Sequence, residues 1–262
     1  MVPPIWQIER YPELDSTNAL AIEWVRSALT ENKEAPAGLV IIAERQRSGR
    51  GQHNRRWESP PGGLYLSAVI SDLPENLRNR LALFVGVAVA NALEDILQFP
   101  NTVALRWPND ITLHHKKAAG VLCESVAMGN HWAAIIGIGV NVTTDLANLS
   151  EDLRARATSL YEISPQQITL QKVETQLLTS LSSVLGKLQQ NGGASLIARA
   201  QQLDELRGQQ ITLQTNDQTL TGTAAGISDF GELLLQLGPP PAPPTPFLTG
   251  SILRLNGIPL RS

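Results

Sequence analysis

The first half of the chain alternates short apolar runs with longer apolar stripes at helical spacing. Continuous or alternating apolar residues predict strands over 38–43 and 64–70, and another strand is expected over 5–11. Apolar residues at helical spacing predict a helix over 19–26 and the main core helix over 77–97. This alternation predicts a mixed α+β domain with the long helix in its core.

The middle of the chain continues with strands and turns before it becomes helical again. Pro108-Asn109-Asp110 predicts a turn that ends one strand, and 114–117 is typical of a hairpin tip. The last two strands of this group are expected to be joined at Gly129-Asn130. The expected elements are strands over 103–107, 111–113, 118–128 and 131–142, followed by helices over 170–190 and 194–206.

The composition and hydrophobic pattern of the sequence change after Arg207. Short apolar runs between 211 and 235 lie in a Gly- and Thr-rich setting, which predicts a small β-barrel-like domain. The proline-rich run over 238–246 is expected to be a stiff surface loop between two of its strands. The predicted domains are 1–207 and 208–262.

Composition narrows the class of protein. The 262 residues carry a net charge of −3, so the totals give no general support for nucleic-acid binding. The one cysteine, Cys123, excludes an internal disulfide and is expected to be an inert core thiol. The first residues contain no basic segment and no long apolar run, so we expect neither a signal peptide nor a membrane span and predict a cytoplasmic protein.

The most distinctive stretch is a basic loop from Arg45 to Trp57, which contains five arginines within twelve residues. It lies between two predicted strands, and Gly49 and Gly51 flank Arg50. Glycines let backbone N–H groups approach a phosphate closely, and guanidinium groups bind phosphate and carboxylate through paired hydrogen bonds. The loop is therefore expected to close over an anionic ligand, although most charge runs are solvated surface loops.

Four further positions combine polar or small residues with turns and strand ends. Asp110 either binds Mg²⁺ or caps its turn. Lys117 is followed by the small residues 118–120, which leave space for a ligand beside it. The run 15–17 is most simply a helix cap, although its donors also suit a polar head group. The Gly-x-Gly at 137–139 precedes no strong helix, so a dinucleotide-binding motif is rejected.

The chain thus carries a series of short motifs in a fixed order. They are Asp15-Ser16-Thr17-Asn18, Gln46-Arg47-Ser48-Gly49-Arg50-Gly51, Arg55-Arg56-Trp57, Leu64-Tyr65-Leu66-Ser67, Trp107-Pro108-Asn109-Asp110, Lys117-Ala118-Ala119-Gly120-Val121-Leu122 and Gly137-Ile138-Gly139-Val140-Asn141. Together they resemble the biotin protein ligase family, and the C-terminal β domain is similar to that family's SH3-like tail. The resemblance covers nearly the whole chain. Its most specific parts are the Gly-Arg-Gly loop that ends in Trp57 and the Lys-x-x-Gly-x-Leu strand.

The resemblance implies a fold and an activity. The fold is a class II synthetase-like mixed or antiparallel sheet with helices, followed by an SH3-like β-barrel. The activity is an ATP-dependent ligation in which the biotin carboxylate attacks the α-phosphate of ATP, giving biotinyl-5′-adenylate and pyrophosphate. A lysine of a carrier protein then attacks the mixed anhydride and AMP leaves. Neither step requires an enzyme nucleophile, so catalysis is mostly positioning and charge stabilisation, with Mg²⁺ as the implied metal.

The resemblance also implies roles for individual residues. Arg50 and Lys117 are the implied catalytic residues, because they hold the biotin carboxylate and the α-phosphate together. Asp110 or Asn109 helps to place Mg²⁺. The implied adenylate-binding residues are Arg50, Arg55, Trp57, Asn109, Lys117 and Asn141. The implied biotin-binding residues are Ser16, Thr17, Asn18, Gln46, Gly49, Arg50, Gly51, Gln52, Tyr65, Ser67, Lys117, Gly120 and Gly139.

Two positions of the loop depart from the family's fullest pattern, Gly-Arg-Gly-Arg-x-Gly-Arg-x-Trp. Gln52 stands where a second arginine is common, and Asn54 stands where a glycine is common. The missing charge predicts a looser hold on the adenylate, offset in part by Arg47 and Arg55. Asn54 tolerates a left-handed backbone better than most residues, so the loop conformation is expected to be kept.

The implied carrier is the biotin carboxyl carrier protein of acetyl-CoA carboxylase. The motif at 15–18 leaves no room before it for about sixty residues of a helix-turn-helix domain, so we expect no specific DNA binding and no repressor role. We expect a monomer or a homodimer without a membrane partner. The alternatives are a lipoate– or octanoate–protein ligase or transferase of the same fold, a nucleic-acid-binding protein that uses the arginine-rich loop, and a non-catalytic biotin-binding module.

Overall fold

The computed structural model describes residues 5–31, 33–71, 73–99, 101–128, 131–164, 168–239 and 241–260. Over these ranges the chain forms a seven-stranded sheet and a six-stranded sheet together with helices, so the predicted α+β fold class is confirmed. No helix within them is long and apolar enough to cross a membrane.

The larger sheet is mixed. It consists of β1 (Gln7–Tyr11), β2 (Leu39–Ala43), β3 (Gly63–Ile70), β4 (Val103–Arg106), β5 (Asp110–Leu113), β6 (Lys116–Met128) and β7 (His131–Asn141). Their order across the sheet is β1-β2-β3-β7-β6-β5-β4. β1 pairs with β2 in parallel, and the other neighbours pair antiparallel. The predicted junction of β6 and β7 at Gly129-Asn130 lies outside the described residues.

Helices cover both faces of this sheet. They are α1 (Thr17–Thr30), α2 (Leu81–Leu97), α3 (Glu151–Arg156), α4 (Leu160–Ile163), α5 (Leu170–Asn191) and α6 (Ala194–Leu203). Successive side chains of a strand point to opposite faces. Leu64 and Leu66 of β3 therefore join the main core with α2 and α5, whereas Val69 joins a smaller core with Ala21 and Val25 of α1.

The main core helix starts later than its apolar stripe predicts. The stripe covers 77–97, but Glu75–Arg80 form a short 3₁₀ turn and α2 begins at Leu81. Leu77 is nevertheless buried, because a 3₁₀ turn brings side chains back to one side with nearly the same period as an α-helix. The apolar spacing alone does not distinguish a 3₁₀ turn from the first turn of an α-helix.

The hairpin tip also differs from its prediction. Lys116 and Lys117 are already part of β6, and the tip consists of His114 and His115 alone. Both histidines have a positive φ, 46° and 66°. A two-residue hairpin turn whose twist matches its strands requires positive φ at both central residues, so the turn is tighter than the sequence suggested.

The second sheet is antiparallel and includes strands that the apolar pattern did not predict. It consists of β8 (Gln210–Gln214), β9 (Thr219–Ile227), β10 (Leu233–Gln236), β11 (Thr245–Phe247), β12 (Ser251–Leu255) and β13 (Ile258–Pro259), in the order β11-β10-β9-β8-β12-β13. The proline-rich run connects β10 to β11, and its last proline, Pro246, lies within that edge strand. An edge strand tolerates a residue without a backbone N–H. The SH3-like description and the boundary at 207/208 stay predictions.

Two contacts attach the second sheet to the first. Trp107, directly after β4, donates from its indole nitrogen to the carbonyl of Gly231 at 3.1 Å. Arg106 forms a nearly buried ion pair with Glu205 at 2.8 Å, in the segment that leads into the second sheet. Ile252 of β12 and Leu260, which follows β13, line the cavity described next.

Candidate active site

A cavity of about 520 Å³ lies over the central strands of the larger sheet. Its walls come from the start of α1, the basic loop 45–57, strands β5 to β7, the segment 149–157 and the second sheet. The predicted site residues that line it are Ser16, Thr17, Asn18, Gln46, Arg50, Gly51, Gln52, Arg55, Trp57, Asn109, Asp110, Lys117, Gly120, Gly139 and Asn141.

The start of α1 forms a polar pocket at one end of the cavity. Ser16 caps the helix, since its hydroxyl accepts a backbone N–H of the first turn. The amide N–H of Thr17 donates to Oε1 of Gln46 at 2.8 Å, and Nδ2 of Asn18 donates to Oε2 of Glu124 at 2.8 Å. The polar side chains of this pocket therefore hold one another in fixed orientations.

Three predicted residues do not line the cavity but support its wall. Ser67 is fully buried, and its hydroxyl lies within hydrogen-bond distance of the side-chain oxygens of Thr17 and Asn18. Tyr65 donates its hydroxyl to a backbone carbonyl at 2.7 Å, and burial raises the pKa of its phenol. A Cβ on Gly49 would lie 2.3 Å from a backbone carbonyl oxygen of its own loop. Gly49 therefore serves the fold of the loop.

The floor of the cavity is a group of glycines. Gly120 of β6 and Gly139 of β7 are paired directly, and the indole of Trp57 lies on both. A Cβ at Gly139 would come within 2.7 Å of this ring, and a Cβ at Gly120 within 2.9 Å. Gly137, which also lines the cavity, would clash in the same way with the amide oxygen of Asn18 at 2.3 Å. Glycine is required here because other groups occupy the Cβ positions.

The basic loop is closed by its own backbone. The amide of Gly51 donates to the carbonyl of Arg55 at 2.8 Å, and a second bond of 2.9 Å joins the foot of the loop. The tip is a 3₁₀ turn over Gln52–Asn54. Its left-handed residue is His53, with φ of 55° and ψ of 42°, and not Asn54. Asn54 was expected to tolerate a left-handed backbone, but the residue that adopts this conformation is His53, one position earlier.

The cationic side chains of the cavity meet different partners. Nη2 of Arg50 lies 3.2 Å from Oε1 of Glu124, and Nζ of Lys117 lies 2.6 Å from Oδ1 of Asp110. Lys117 is also 5.1 Å from the centroid of the Trp57 ring, a cation–π distance. Arg55 donates to the neutral hydroxyl of Ser251 in β12 at 3.3 Å, and burial lowers the pKa of its guanidinium.

The two asparagines of the cavity are fixed by backbone carbonyls. Nδ2 of Asn109 donates to the carbonyl of Val121 at 2.6 Å, and Nδ2 of Asn141 donates to that of Thr158 at 3.0 Å. Both side chains are buried. Each is held by a neighbouring element, so its amide has one orientation.

Asp110, the predicted magnesium ligand, lines the cavity together with one other carboxylate, Glu58. The described ranges contain no cluster of three or more His, Cys, Asp or Glu side chains that could hold a metal ion. Mg²⁺ is usually held by one or two carboxylates together with water and substrate phosphates. Asp110 is already bound to Lys117 and Glu58 to Arg56, so the described residues do not make a metal site by themselves.

Several residues that line the cavity, or that hold its lining residues as Glu124 does, were missed by the sequence analysis. Glu124 lies four residues after Gly120 on one strand, so the period of two places both on one face and could have indicated it. Arg156 belongs to α3, which is too short to show a periodic apolar pattern. Ile252 and Leu260 come from the part of the second sheet whose strands were not predicted.

Two family models match the sequence. The Biotin/lipoate A/B protein ligase family matches residues 14–141, and the Biotin protein ligase C terminal domain matches residues 207–240. The bifunctional ligase/repressor BirA of Bacillus subtilis is 30% identical over 208 residues, which cover 78% of this chain and 63% of that protein. The biotin--[acetyl-CoA-carboxylase] ligase of Mycobacterium tuberculosis is 29% identical over 205 residues, which cover 77% and 74%. The chain thus spans less than two thirds of the Bacillus relative.

Solved structures agree with these matches. The biotin protein ligase of Aquifex aeolicus in complex with biotin and ATP has a TM-score of 0.77 and 28% identity, and covers 95% of this chain and 98% of its own. A mutant of that ligase in complex with biotin has a TM-score of 0.80 and 29% identity, with the same coverage. The fold is therefore that of a biotin protein ligase. Residues 14–141 and 207–240 therefore match the two domains of a biotin protein ligase.

Proposed function

We propose that this chain is a biotin–[acetyl-CoA-carboxylase] ligase, which forms biotinyl-5′-AMP from biotin and ATP and transfers biotin to a lysine of a biotin carboxyl carrier protein. The observation that carries the proposal is the composition of the cavity. A fixed polar pocket around Thr17, Asn18 and Gln46 opens into a region that contains Arg50 and Lys117. Such a cavity suits a polar head group joined to a carboxylate.

The polar pocket binds the biotin head group in this proposal. Its hydrogen-bonding side chains are oriented before the ligand arrives, which reduces the entropy lost on binding. The glycine floor lets the Trp57 indole lie against the strands, where it forms an apolar wall of the cavity. Gln46 links the polar pocket to the basic loop. It accepts a hydrogen bond from Thr17 at the start of α1 and donates one to Ser59, just after the loop, at 2.9 Å.

The cations bring two anions together. The biotin carboxylate attacks the α-phosphorus, the bond to the β-phosphate oxygen breaks, and pyrophosphate leaves. Lys117 and Arg50 offset the repulsion between carboxylate and phosphate, and a preformed cationic site is an effective way to stabilise charge that develops in the transition state. In the second step the carrier amine attacks the acyl carbon, AMP leaves, and the amine loses a proton.

Lys117 changes partners in this scheme. In the structure its ammonium is neutralised by Asp110 at 2.6 Å, and the ligand anions replace that partner in part. Arg55, Trp57, Asn109 and Asn141 contact the nucleotide portion. Mg²⁺ would arrive with the nucleotide phosphates, and the proposed steps do not depend on a protein metal site.

The carrier, the absence of a repressor role and the division into domains 1–207 and 208–262 belong to the same proposal. The match to a biotin protein ligase C-terminal domain over 207–240 supports the division. The M. tuberculosis relative, which is named for acetyl-CoA carboxylase, supports the carrier.

Pyrophosphate release tests the proposal. The wild-type chain should release pyrophosphate with Mg-ATP and biotin, but not when lipoate or octanoate replaces biotin. Lys117→Ala should lower the rate at least about a hundredfold while biotin binding is largely kept. Lys116→Ala is the matched control, because Lys116 is exposed and does not line the cavity. Release with lipoate alone, or full activity of Lys117→Ala, would contradict the proposal.

A further inference from the structure

Arg156 is a cation of the cavity that no motif of the sequence indicates. It is the last residue of α3, it lines the cavity, and its side chain is 19% exposed. The segment after it is attached to β6, because Ala157 pairs with Lys117 and the amide of Thr158 donates to the carbonyl of Lys117 at 3.0 Å. The backbone therefore places Arg156 next in sequence to the residue that pairs with Lys117.

The guanidinium of Arg156 is only weakly compensated. Its hydrogen bonds go to Asp152 of the same helix, to the backbone carbonyl at 3.0 Å and to the carboxylate. The Asp152 side chain is 53% exposed, and ion pairs with an exposed partner contribute little. A guanidinium has five N–H donors, so most of its donor capacity is available to a ligand.

Arg55 is also only weakly compensated, because its side chain donates to the neutral hydroxyl of Ser251. Burial lowers the pKa of both guanidinium groups, and both line the cavity. They belong to different walls, since Arg55 is part of the basic loop and Arg156 is part of α3. Arg50 and Lys117, by contrast, each face a less exposed carboxylate, Glu124 at 24% and Asp110 at 17% against 53% for the Asp152 partner of Arg156. Two partly desolvated cations on different walls form an arrangement suited to phosphate oxygens.

The segment that carries Arg156 contacts a different part of β6 from the polar pocket around Asn18. Asn18 bonds to Glu124, whereas Ala157 pairs with Lys117. These two points on β6 are seven residues apart, which corresponds to roughly 20 Å of extended strand. A ligand whose head group lies near Asn18 and whose carboxylate reaches Lys117 would present its phosphate on the side of Arg156.

We propose that Arg156 binds the α-phosphate that ATP and the acyl-adenylate share, and that it supplies from α3 the charge that Gln52 does not supply from the basic loop. This inference rests on the proposed function, because it takes the ligand to be a nucleotide joined to biotin. It adds a specificity residue for the nucleotide, provided by a helix outside the motifs.

The experiment compares AMP with adenosine, which differ by that phosphate. Calorimetric titrations of the biotin-saturated protein are made for the wild type, Arg156→Ala, Arg156→Lys and Arg154→Ala. We expect Arg156→Ala to lower the preference for AMP over adenosine about tenfold, with adenosine and biotin affinities within twofold. Arg156→Lys should restore part of the preference. Arg154→Ala, an exposed arginine of the same helix, should match the wild type.

Three results would overturn the inference. They are an unchanged AMP preference in Arg156→Ala, an equal loss of AMP and adenosine binding, and the same loss in Arg154→Ala. A failure of the proposed function looks different, because the wild type itself would then neither bind biotin nor release pyrophosphate. If only the inference fails, the wild type keeps both properties and the variants give one of these three results.

Discussion

Glu124 holds Arg50 and Asn18 with one carboxylate. Its Oε1 lies 3.2 Å from Nη2 of Arg50, and its Oε2 accepts from Nδ2 of Asn18 at 2.8 Å. Arg50 belongs to the basic loop and Asn18 to the polar pocket, so Glu124 links the two. A chain of hydrogen bonds continues from Asn18 back to the foot of the loop through Ser67, Thr17, Gln46, Ser59 and the carbonyl of Trp57.

Replacing Glu124 should loosen the loop of the empty protein. Glu124→Gln can keep the hydrogen bond to Asn18 but removes the charge that attracts Arg50. A partly exposed ion pair contributes about 0.2–1 kcal/mol, so we expect trypsin to cleave within the loop about two- to fivefold faster. The rate of cleavage at the arginines of 45–56, without ligand, measures this.

The control for this change is Glu75→Gln, which removes an ion pair with Arg78 outside the loop. It should leave cleavage of the basic loop as it is in the wild type. If Glu124→Gln is also cleaved at the wild-type rate, Glu124 does not hold the loop.

A methyl group on the glycine floor should displace Trp57. In Gly139→Ala the new Cβ would lie 2.7 Å from the indole, so the ring must leave its place while the strand backbone can stay. We expect the affinity for biotin to fall at least about tenfold, with a moderate loss of stability. Calorimetry and thermal unfolding measure the two effects.

Gly186→Ala is the matched control for the glycine floor. It lies in α5, and a Cβ there meets no atom within 4 Å. Alanine in a helix is favoured over glycine by roughly 0.5–1 kcal/mol, so this variant should be more stable and bind biotin normally. Wild-type affinity in Gly139→Ala would show that the ring adapts without consequence for the ligand.

The glycine floor could be predicted from the sequence, and the wall opposite it could not. Glycines within apolar strands indicate a close approach by another group, which the contacts of Gly120 and Gly139 with Trp57 illustrate. Arg156 gave no such signal, because α3 has six residues and its place beside Lys117 depends on a pairing of distant segments. Tertiary contacts of this kind leave no local pattern.

Residues behind the site show a second limit of sequence reasoning. The period of β3 correctly directs Tyr65 and Ser67 towards the face that carries the cavity. The start of α1, however, stands between Ser67 and the cavity, and Thr17 and Asn18 form the actual surface. A strand pattern predicts which face a side chain occupies, but the element that covers that face decides whether a ligand can reach it.

Asp204 should make the protein less stable as the pH rises. Burial raises the pKa of its carboxyl from 3.8 to about 6, and its Oδ2 is buried without a hydrogen-bond partner among the described residues. The folded state therefore keeps a proton that the unfolded state loses between about pH 4 and 6, and its stability falls through that window. Asp204→Asn should lack this contribution, so the change in its unfolding free energy from pH 4.5 to pH 6.5 should be about 1–2 kcal/mol more positive than in the wild type. Equal slopes in both proteins would contradict the assignment.

An arginine at position 52 should tighten the hold on the adenylate. Gln52 lines the cavity at the start of the 3₁₀ turn, so Gln52→Arg would place a fixed charge in the part of the loop that faces the ligand. A charged hydrogen bond to phosphate contributes about 1.5–3 kcal/mol, and we expect biotinyl-adenylate to dissociate about tenfold more slowly or better. Gln52→Met, which alters the side chain without adding charge, is the control.

In an Arg156→Ala background, Gln52→Arg should recover most of the adenylate retention that Arg156→Ala loses, because both arginines bind one phosphate. Dissociation rates that do not respond to Gln52→Arg in either background would mean that the charge of this loop position does not limit release.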